Sequence, residues 1–206
     1  MKRISILAVA AVAALSVVAA IGATSASATV LCKKDQLYTC TSQYNYGVGT
    51  KLTATLNGPA DFTLPSGEIW SRCWGGSLSM EVTDAGGTEK PVLLKDLSGS
   101  FTGCSWTTTF TKYGSRKIEL PEEEEPVALM TGTGEGGTEI LLPAYGINCT
   151  FRFIPPFSVI SGTSPELRSE RGRLLPGNGN SCPELYFSGS YSLTPSPLYV
   201  AALNFG

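Results

Sequence analysis

The chain has 206 residues, with 15 basic and 17 acidic side chains, six Cys, 23 Gly, 13 Pro and no His. Its 42% hydrophobic and 16% charged content is that of a globular protein, neither low-complexity nor collagen-like. The missing His excludes Ser-His-Asp and Cys-His nucleophile systems, His-ligated metal and imidazole acid/base chemistry, and the charge balance leaves no basic surplus for nucleic acid.

Met1-Lys2-Arg3 opens the chain, an apolar run extends from Ile4 to Ile21, and a small, polar stretch ends in Ala26-Ser27-Ala28. These are the n-region, h-region and Ala-x-Ala site of a secretory signal peptide, which predicts removal of residues 1–28. A retained membrane anchor is the alternative, because 18 apolar-leaning residues come close to spanning a bilayer. The Ala-rich run and the small-residue exit favour cleavage. Cys32 lies beyond the predicted cut and does not follow a lipobox, so lipid attachment is not expected. The mature chain, residues 29–206, would carry 13 basic and 17 acidic residues, a net charge of −4. It has no later segment long and apolar enough to cross a membrane. A single domain of this size buries about 70% of its unfolded surface.

All six cysteines fall in the mature region: Cys32, Cys40, Cys73, Cys104, Cys149 and Cys182. An even count in an exported chain reads as disulfides, and no Cys-x-x-Cys pair suggests redox or zinc chemistry. Sequential pairing is expected: Cys32–Cys40 across a short polar loop, then Cys73–Cys104 and Cys149–Cys182, each tying strands about thirty residues apart.

Period-two patterning dominates the rest, read in chain order. Lys51 to Leu56 alternates polar and apolar and stops at Asn57-Gly58-Pro59. A strand is predicted over Glu68–Trp74, another over Ser77–Thr83 ending at Asp84-Ala85-Gly86-Gly87. Ser105–Tyr113, Arg116–Leu120, Val127–Thr131 and Thr138–Leu142 come next. Ile147, Cys149, Phe151 and Phe153 share one face of a strand, opposite Asn148, Thr150 and Arg152. Leu185, Phe187, Tyr191 and Leu193 line another, with Ser188, Ser190 and Ser192 turned away, and Leu198–Leu203 closes the chain. Pro155-Pro156 and Pro195-Ser196-Pro197 interrupt the last third, where continuous strands cannot run. Gly162–Asn180 reads as the least structured stretch. Eight to eleven short strands with frequent turn signals predict an all-β fold, an antiparallel β-sandwich or barrel in one domain over residues 29–206.

Few residues carry a chemical signature. Gly132-Thr133-Gly134-Glu135-Gly136-Gly137 matches a dinucleotide-loop pattern, but a short β-leaning segment closed by Pro143 comes after it instead of a helix, so a hairpin tip is expected. Glu122–Glu125 between two prolines lacks calcium-loop spacing and reads as a solvated turn. Glu68, Glu81, Asp61, Asp84 and Asp96 are candidates for a carboxylate pair, the acid/base chemistry open to a His-free chain. No nucleophile elbow and no Ser-x-x-Lys occurs. Trp70 and Trp74 fall on one strand face, opposite Ile69 and Cys73; with Trp106 they are the candidate ligand-binding residues, since exposed indoles stack on sugar rings or a partner surface. Burial in the core is the competing reading of the same residues. Asn148-Cys149-Thr150 fits a glycosylation acceptor that is expected to stay unused. No catalytic residue, metal ligand or cofactor is expected.

The chain resembles an uncharacterised family of secreted, disulfide-containing β-proteins of Gram-positive actinobacteria. The resemblance rests on the signal peptide, Cys32 and Cys40 ahead of Tyr46-Gly47-Val48-Gly49-Thr50, and single cysteines at Cys73 and Cys104. It extends through Ile147-Asn148-Cys149-Thr150-Phe151, Cys182-Pro183, Gly189-Ser190-Tyr191-Ser192-Leu193-Thr194 and Pro197-Leu198-Tyr199-Val200. It implies an exported, disulfide-tied β-protein and assigns no activity to any residue. The expected function is a non-enzymatic extracellular or cell-envelope binding or structural module, whose partner is an envelope glycan or another extracellular protein. The alternatives are a carboxylate-based secreted glycoside hydrolase, or an inhibitor of an extracellular enzyme that blocks its target with Gly162–Asn180.

Overall fold

The computed structural model describes residues 29–34, 40–87, 90–120, 127–133, 138–144, 147–153, 155–177 and 182–202. The signal segment 1–28, the Glu122–Glu125 run and Gly134–Gly137 lie outside the described residues. Apart from a 3-10 turn at Ser42–Tyr44, the regular structure described is β. The first five strands are β1 (Thr29–Cys32), β2 (Lys51–Leu56), β3 (Ala60–Thr63), β4 (Ile69–Cys73) and β5 (Gly75–Asp84). Next come β6 (Val92–Thr102), β7 (Thr109–Lys112), β8 (Ser115–Glu119), β9 (Ala128–Gly132) and β10 (Glu139–Ala144). The last five are β11 (Ile147–Arg152), β12 (Phe157–Ile160), β13 (Glu166–Pro176), β14 (Leu185–Thr194) and β15 (Tyr199–Ala202).

Eight of them close into an antiparallel barrel in the order β14-β2-β5-β6-β8-β9-β12-β13, with β13 returning to β14. Of the sandwich and the barrel that the alternation allows, the chain adopts the barrel. Two strands then leave it. The first half of β14 pairs with β3, which pairs with β4, and the last residues of β13 pair with β11, followed by β10 and β7. A second sheet, β4-β3-β14-β13-β11-β10-β7, therefore shares its two long central strands with the barrel. β1 and β15 form a separate two-stranded ribbon with Thr29 opposite Ala202.

The alternating residues behave as half-buried strands require. Leu52 and Ala54 of β2, Leu78, Met80 and Val82 of β5, and Leu185, Phe187, Tyr191 and Leu193 of β14 are all buried. Cys149, Phe151 and Phe153 are buried as well, while Asn148 and Arg152 are exposed. Where barrel and second sheet meet, Phe62, Phe101, Phe153, Phe157 and Phe187 pack edge to face or tilted, as close as 5.0 Å between the Phe153 and Phe187 centroids. Each such pair adds about 0.5–1.5 kcal/mol beyond the area it buries.

Several expectations are corrected. Among the described residues fifteen strands replace the expected eight to eleven, because β1, β3 and β12 are only four residues long and β6 and β13 change parity at a bulge. Gly162–Asn180 is not the least structured stretch: eleven of its residues form β13, in the centre of the sheet. Three arginines and a bulge between Ser169 and Gly172 hide the inward positions Leu167, Ser169, Gly172 and Leu174. Only Thr109–Lys112 of the predicted Ser105–Tyr113 strand is extended, since the preceding residues bend to meet β4. The hairpin tip expected at Gly132–Gly137 falls largely outside the described residues; of its flanking strands, β9 pairs with β8 and β12 while β10 pairs with β11 and β7.

The three disulfides form in sequential order: Cys32–Cys40, Cys73–Cys104 and Cys149–Cys182. The first covers a satellite cluster of Val30, Cys32 and Cys40 against Tyr44 and Tyr199. Three disulfides fit an oxidising compartment. Among the described residues no helix is long and apolar enough to cross a membrane.

One charged pair lies in the core. Arg116 of β8 and Asp96 of β6 have side chains 1% and 0% exposed, and Arg116 Nε donates to both Asp96 oxygens at 3.0 Å. Arg116 Nη2 donates to the Phe153 carbonyl at 3.1 Å, and Thr138 Oγ1 donates to Asp96. The guanidinium also sits over the Phe153 and Phe157 rings, with centroids 5.6 and 5.8 Å away. Removing one partner of such a pair strands the other charge in the core, at a cost of about 3–5 kcal/mol. Asp96→Ala is therefore expected to lower unfolding free energy by about that amount in a denaturant titration. The double change Asp96→Leu with Arg116→Met should recover most of the loss. Tyr191 supplies a pH signature. Burial raises its phenol above the ordinary value of 10.0, opposed by the nearby Arg116 charge. The unfolded chain ionises this group from about pH 10 while the fold keeps it protonated, so stability falls above that pH by up to about 1.4 kcal/mol per pH unit. Tyr191→Phe is expected to flatten this alkaline decline, measured as unfolding free energy between pH 9 and 11.

Candidate functional site

β4 is the outermost strand at one end of the second sheet, so one of its backbone edges lacks a strand partner. From Ser71 onward its alternation sends Ser71 and Cys73 inward, both fully buried, and Arg72 and Trp74 outward, while Trp70 is the extra residue of a bulge opposite β3. The bulge at Trp70 interrupts the alternation expected between the two indoles, and they differ in environment. Trp70 is half-buried and packs against the core. Trp74, the first residue past the strand, is 66% exposed. Trp106 reaches the same edge from the loop after β6 and is 36% exposed.

The loop gets there by covalent and backbone ties. The Cys73–Cys104 disulfide brings it against β4, Ser105 N donates to the Arg72 carbonyl at 2.9 Å, and Trp106 N donates to Ser71 Oγ at 3.4 Å. Trp74 N donates to the Thr102 carbonyl at 3.2 Å. The edge that would otherwise invite pairing with another chain is thereby capped by the protein's own loop. Gly103 makes the turn with φ of +62°, and a Cβ there would stand 3.5 Å from the Trp74 Cβ. A side chain at 103 would be strained in this left-handed conformation, although the space beside Trp74 would admit a Cβ. Beside it lies an open recess of about 250 Å³ lined by Phe101, Gly103, Cys104, Thr107 and Thr108.

A residue not singled out by sequence orients the exposed indole. The Arg72 guanidinium lies 5.7 Å from the Trp74 ring centroid. It is held by a two-pronged ion pair to Asp61 of β3, with Nε to Oδ1 at 2.6 Å and Nη2 to Oδ2 at 2.7 Å. The Asp61 hydrogen bond, then its charge, raises the Arg72 pKa above its ordinary value, so the cation persists at any ordinary pH. Cross-strand registry of Asp61 with Arg72 places the two together. The sequence signal for Arg72 is its position midway between two tryptophans expected to share a face.

The carboxylate candidates do not assemble. Asp61 is committed to Arg72, Asp96 is buried against Arg116, and Asp84 Oδ1 accepts the Gly86 backbone N–H at 3.0 Å. Glu81 stands between Lys51 and Lys95 in registry, and Glu68 is exposed in the turn before β4. Among the described residues no three His, Cys, Asp or Glu side chains cluster as metal ligands would. No family model, curated protein or solved structure matches the chain.

The 31-residue separation of Cys73 and Cys104 sets the value of their bond. Loop closure of that size stabilises by about 3–4 kcal/mol in the chain-entropy model. Changing both cysteines to Ala is expected to cost that much in a denaturant titration. It should also release the loop, read as faster amide exchange at Ser105 and Trp106.

Proposed function

We propose that this protein is an exported, non-enzymatic binding module that contacts a cell-envelope glycan through the Trp74 surface. The observation that carries the reading is the exposed Trp74 ring, backed by an arginine that Asp61 locks in place. An indole held in one orientation loses little freedom when a flat ligand stacks on it, so more of the contact energy appears as affinity. The cross-linked loop bearing Trp106 serves the same end. Export follows from the signal peptide and is in keeping with three disulfides. The resemblance to secreted actinobacterial β-proteins supports the same compartment.

The geometry gives the alternatives less. A hydrolase through Asp61 or Asp96 would need a carboxylate free to take or give a proton, and each faces an arginine. An inhibitor that blocks with Gly162–Asn180 would need a projecting loop, and β13 occupies most of that stretch.

Retention of the purified oxidised protein on isolated envelope glycan tests the reading. Trp74→Ala is expected to cut retention at least tenfold with an unchanged melting temperature. Trp70→Ala is expected to cost roughly 1–3 kcal/mol of stability, because its ring packs against the core. Equal retention of the Trp74 variant and the parent, or no retention of either, would end the proposal.

A further inference from the structure

The arginines between Gly162 and Asn180 play no part in the Trp74 surface. On a regular strand Arg168 would point to the opposite face from Arg171 and Arg173. The bulge between Ser169 and Gly172 resets the alternation, and all three are exposed on the outside of β13. Arg152, exposed on β11 and paired with Leu175, extends the row. Four of the six arginines in residues 29–206 thus gather on one face of a chain whose net charge there is −4.

The bulge also opens a recess of about 240 Å³ whose lining includes Arg168, Glu170, Arg171 and Ser158. Ser158 of β12 stands opposite Arg168. Pro155 packs directly on the bulge, where only glycine fits, because a Cβ on Gly172 would lie 2.3 Å from the Pro155 Cβ. Arg171 is oriented from two sides: its guanidinium lies 4.6 Å from the Tyr186 ring centroid, and Nη2 donates to the Pro65 carbonyl at 3.3 Å. Its charge is not matched by a salt bridge to any described residue, whereas Arg173 meets Glu184 at 2.9 Å and Arg168 meets Glu166 at 3.4 Å. The result is a cation fixed in direction and left with donors to spare. The recess is smaller than the roughly 300–1,000 Å³ of whole small-molecule sites, so it suits one group of a ligand. Two guanidinium forks from β13 and a hydroxyl from β12 match a tetrahedral oxyanion, whose oxygens accept from several directions.

We propose that the β13 recess binds a phosphate-type oxyanion, with Arg168 and Arg171 as its charged ligands and the Ser158 hydroxyl as a further donor. Glu170 on the lining leaves the recess with one net positive charge. This site is separate from the Trp74 surface and does not depend on it. Registry of Arg173 with Tyr186, Ser188 with Asp61, and Asp61 with Arg72 puts both on the same outer face. β4 and β13 lie three strand spacings apart, roughly 15 Å, so one polymer bearing both rings and anionic groups reaches both sites.

The test is titration of the isotope-labelled, oxidised protein with inorganic phosphate, and separately with polyphosphate, at fixed ionic strength and followed by amide NMR. Saturable shifts are expected at Ser158 and Arg168–Gly172. Arg171→Gln should weaken binding at least fivefold, Arg168→Gln with Arg171→Gln should abolish it, and Glu170→Gln should tighten it. Trp74→Ala should leave the titration unchanged, which separates this site from the glycan surface. Tighter binding of polyphosphate per phosphate assigns the anion to a polymer, and equal binding assigns it to a free ion. Shifts that rise without saturation at every lysine, or a double-arginine variant that titrates like its parent, would overturn the site. Both arginines are exposed, and an unchanged melting temperature will confirm that the variants fold.

Discussion

The buried contact between Arg116 and Asp96 ties the barrel to the sheet beside it. Asp96 belongs to β6 and Arg116 to β8, neighbours in the barrel wall, and the remaining bonds run outward to Thr138 and the Phe153 carbonyl. Thr138 in turn accepts the Gly114 N–H at 3.0 Å, and its carbonyl accepts the Phe153 N–H at 2.6 Å. Two charges removed from water cost several kcal/mol each, and that cost is offset only if lone pairs and protons are satisfied. Here they nearly are. Arg116 Nη1 alone has no hydrogen-bond partner among the described residues, and the π faces of Phe153 and Phe157 take up part of the charge. A pair this demanding of geometry favours one arrangement of β6, β8 and the Thr138–Phe153 region over its neighbours in register.

Bulges re-aim the inward faces of two long strands, β6 and β13. In β6, Met80 pairs with Asp96 while Ser79 pairs with Ser98, leaving Leu97 as the extra residue. Val92, Leu94 and Asp96 face inward before it, and Phe101 after it, so one strand serves the barrel and then the aromatic junction. In β13 the irregularity between Ser169 and Gly172 does the same for the passage into the second sheet. Each extra residue increases local twist and re-aims the side chains beyond it. Without these slips, long strands would carry their inward faces out of one layer and into solvent.

The same slips explain what sequence reading reached and what it missed. Strict alternation made β2, β5, β11 and β14 legible, because each keeps one parity through its length. β6 and β13 change parity midway, and β6 also places a charged residue, Asp96, where period-two logic demands an apolar one. β3 and β12 are four residues each, too short for a pattern. Cysteine order was a sound guide to pairing because each bond closes a neighbouring loop. For the candidate surface, parity grouped Trp70 with Trp74, but a bulge at Trp70 breaks the alternation between them. Which indole meets solvent depends on where the strand ends and the loop crosses, and that is a tertiary fact. The Asp61–Arg72 clamp arises from cross-strand registry across a turn, and nothing in the spacing of the two residues announces it.

The ribbon of β1 and β15 gives the molecule a defined mechanical character. Thr29 and Ala202 sit directly opposite, so tension applied between them opens antiparallel hydrogen bonds one after another instead of shearing them together. Three residue pairs separate before the load reaches Cys32, which is linked covalently to Cys40. Thr29 is also bridged to Gly87 and Leu31 is packed in the main core, so opening this zipper draws on the barrel as well as on the ribbon.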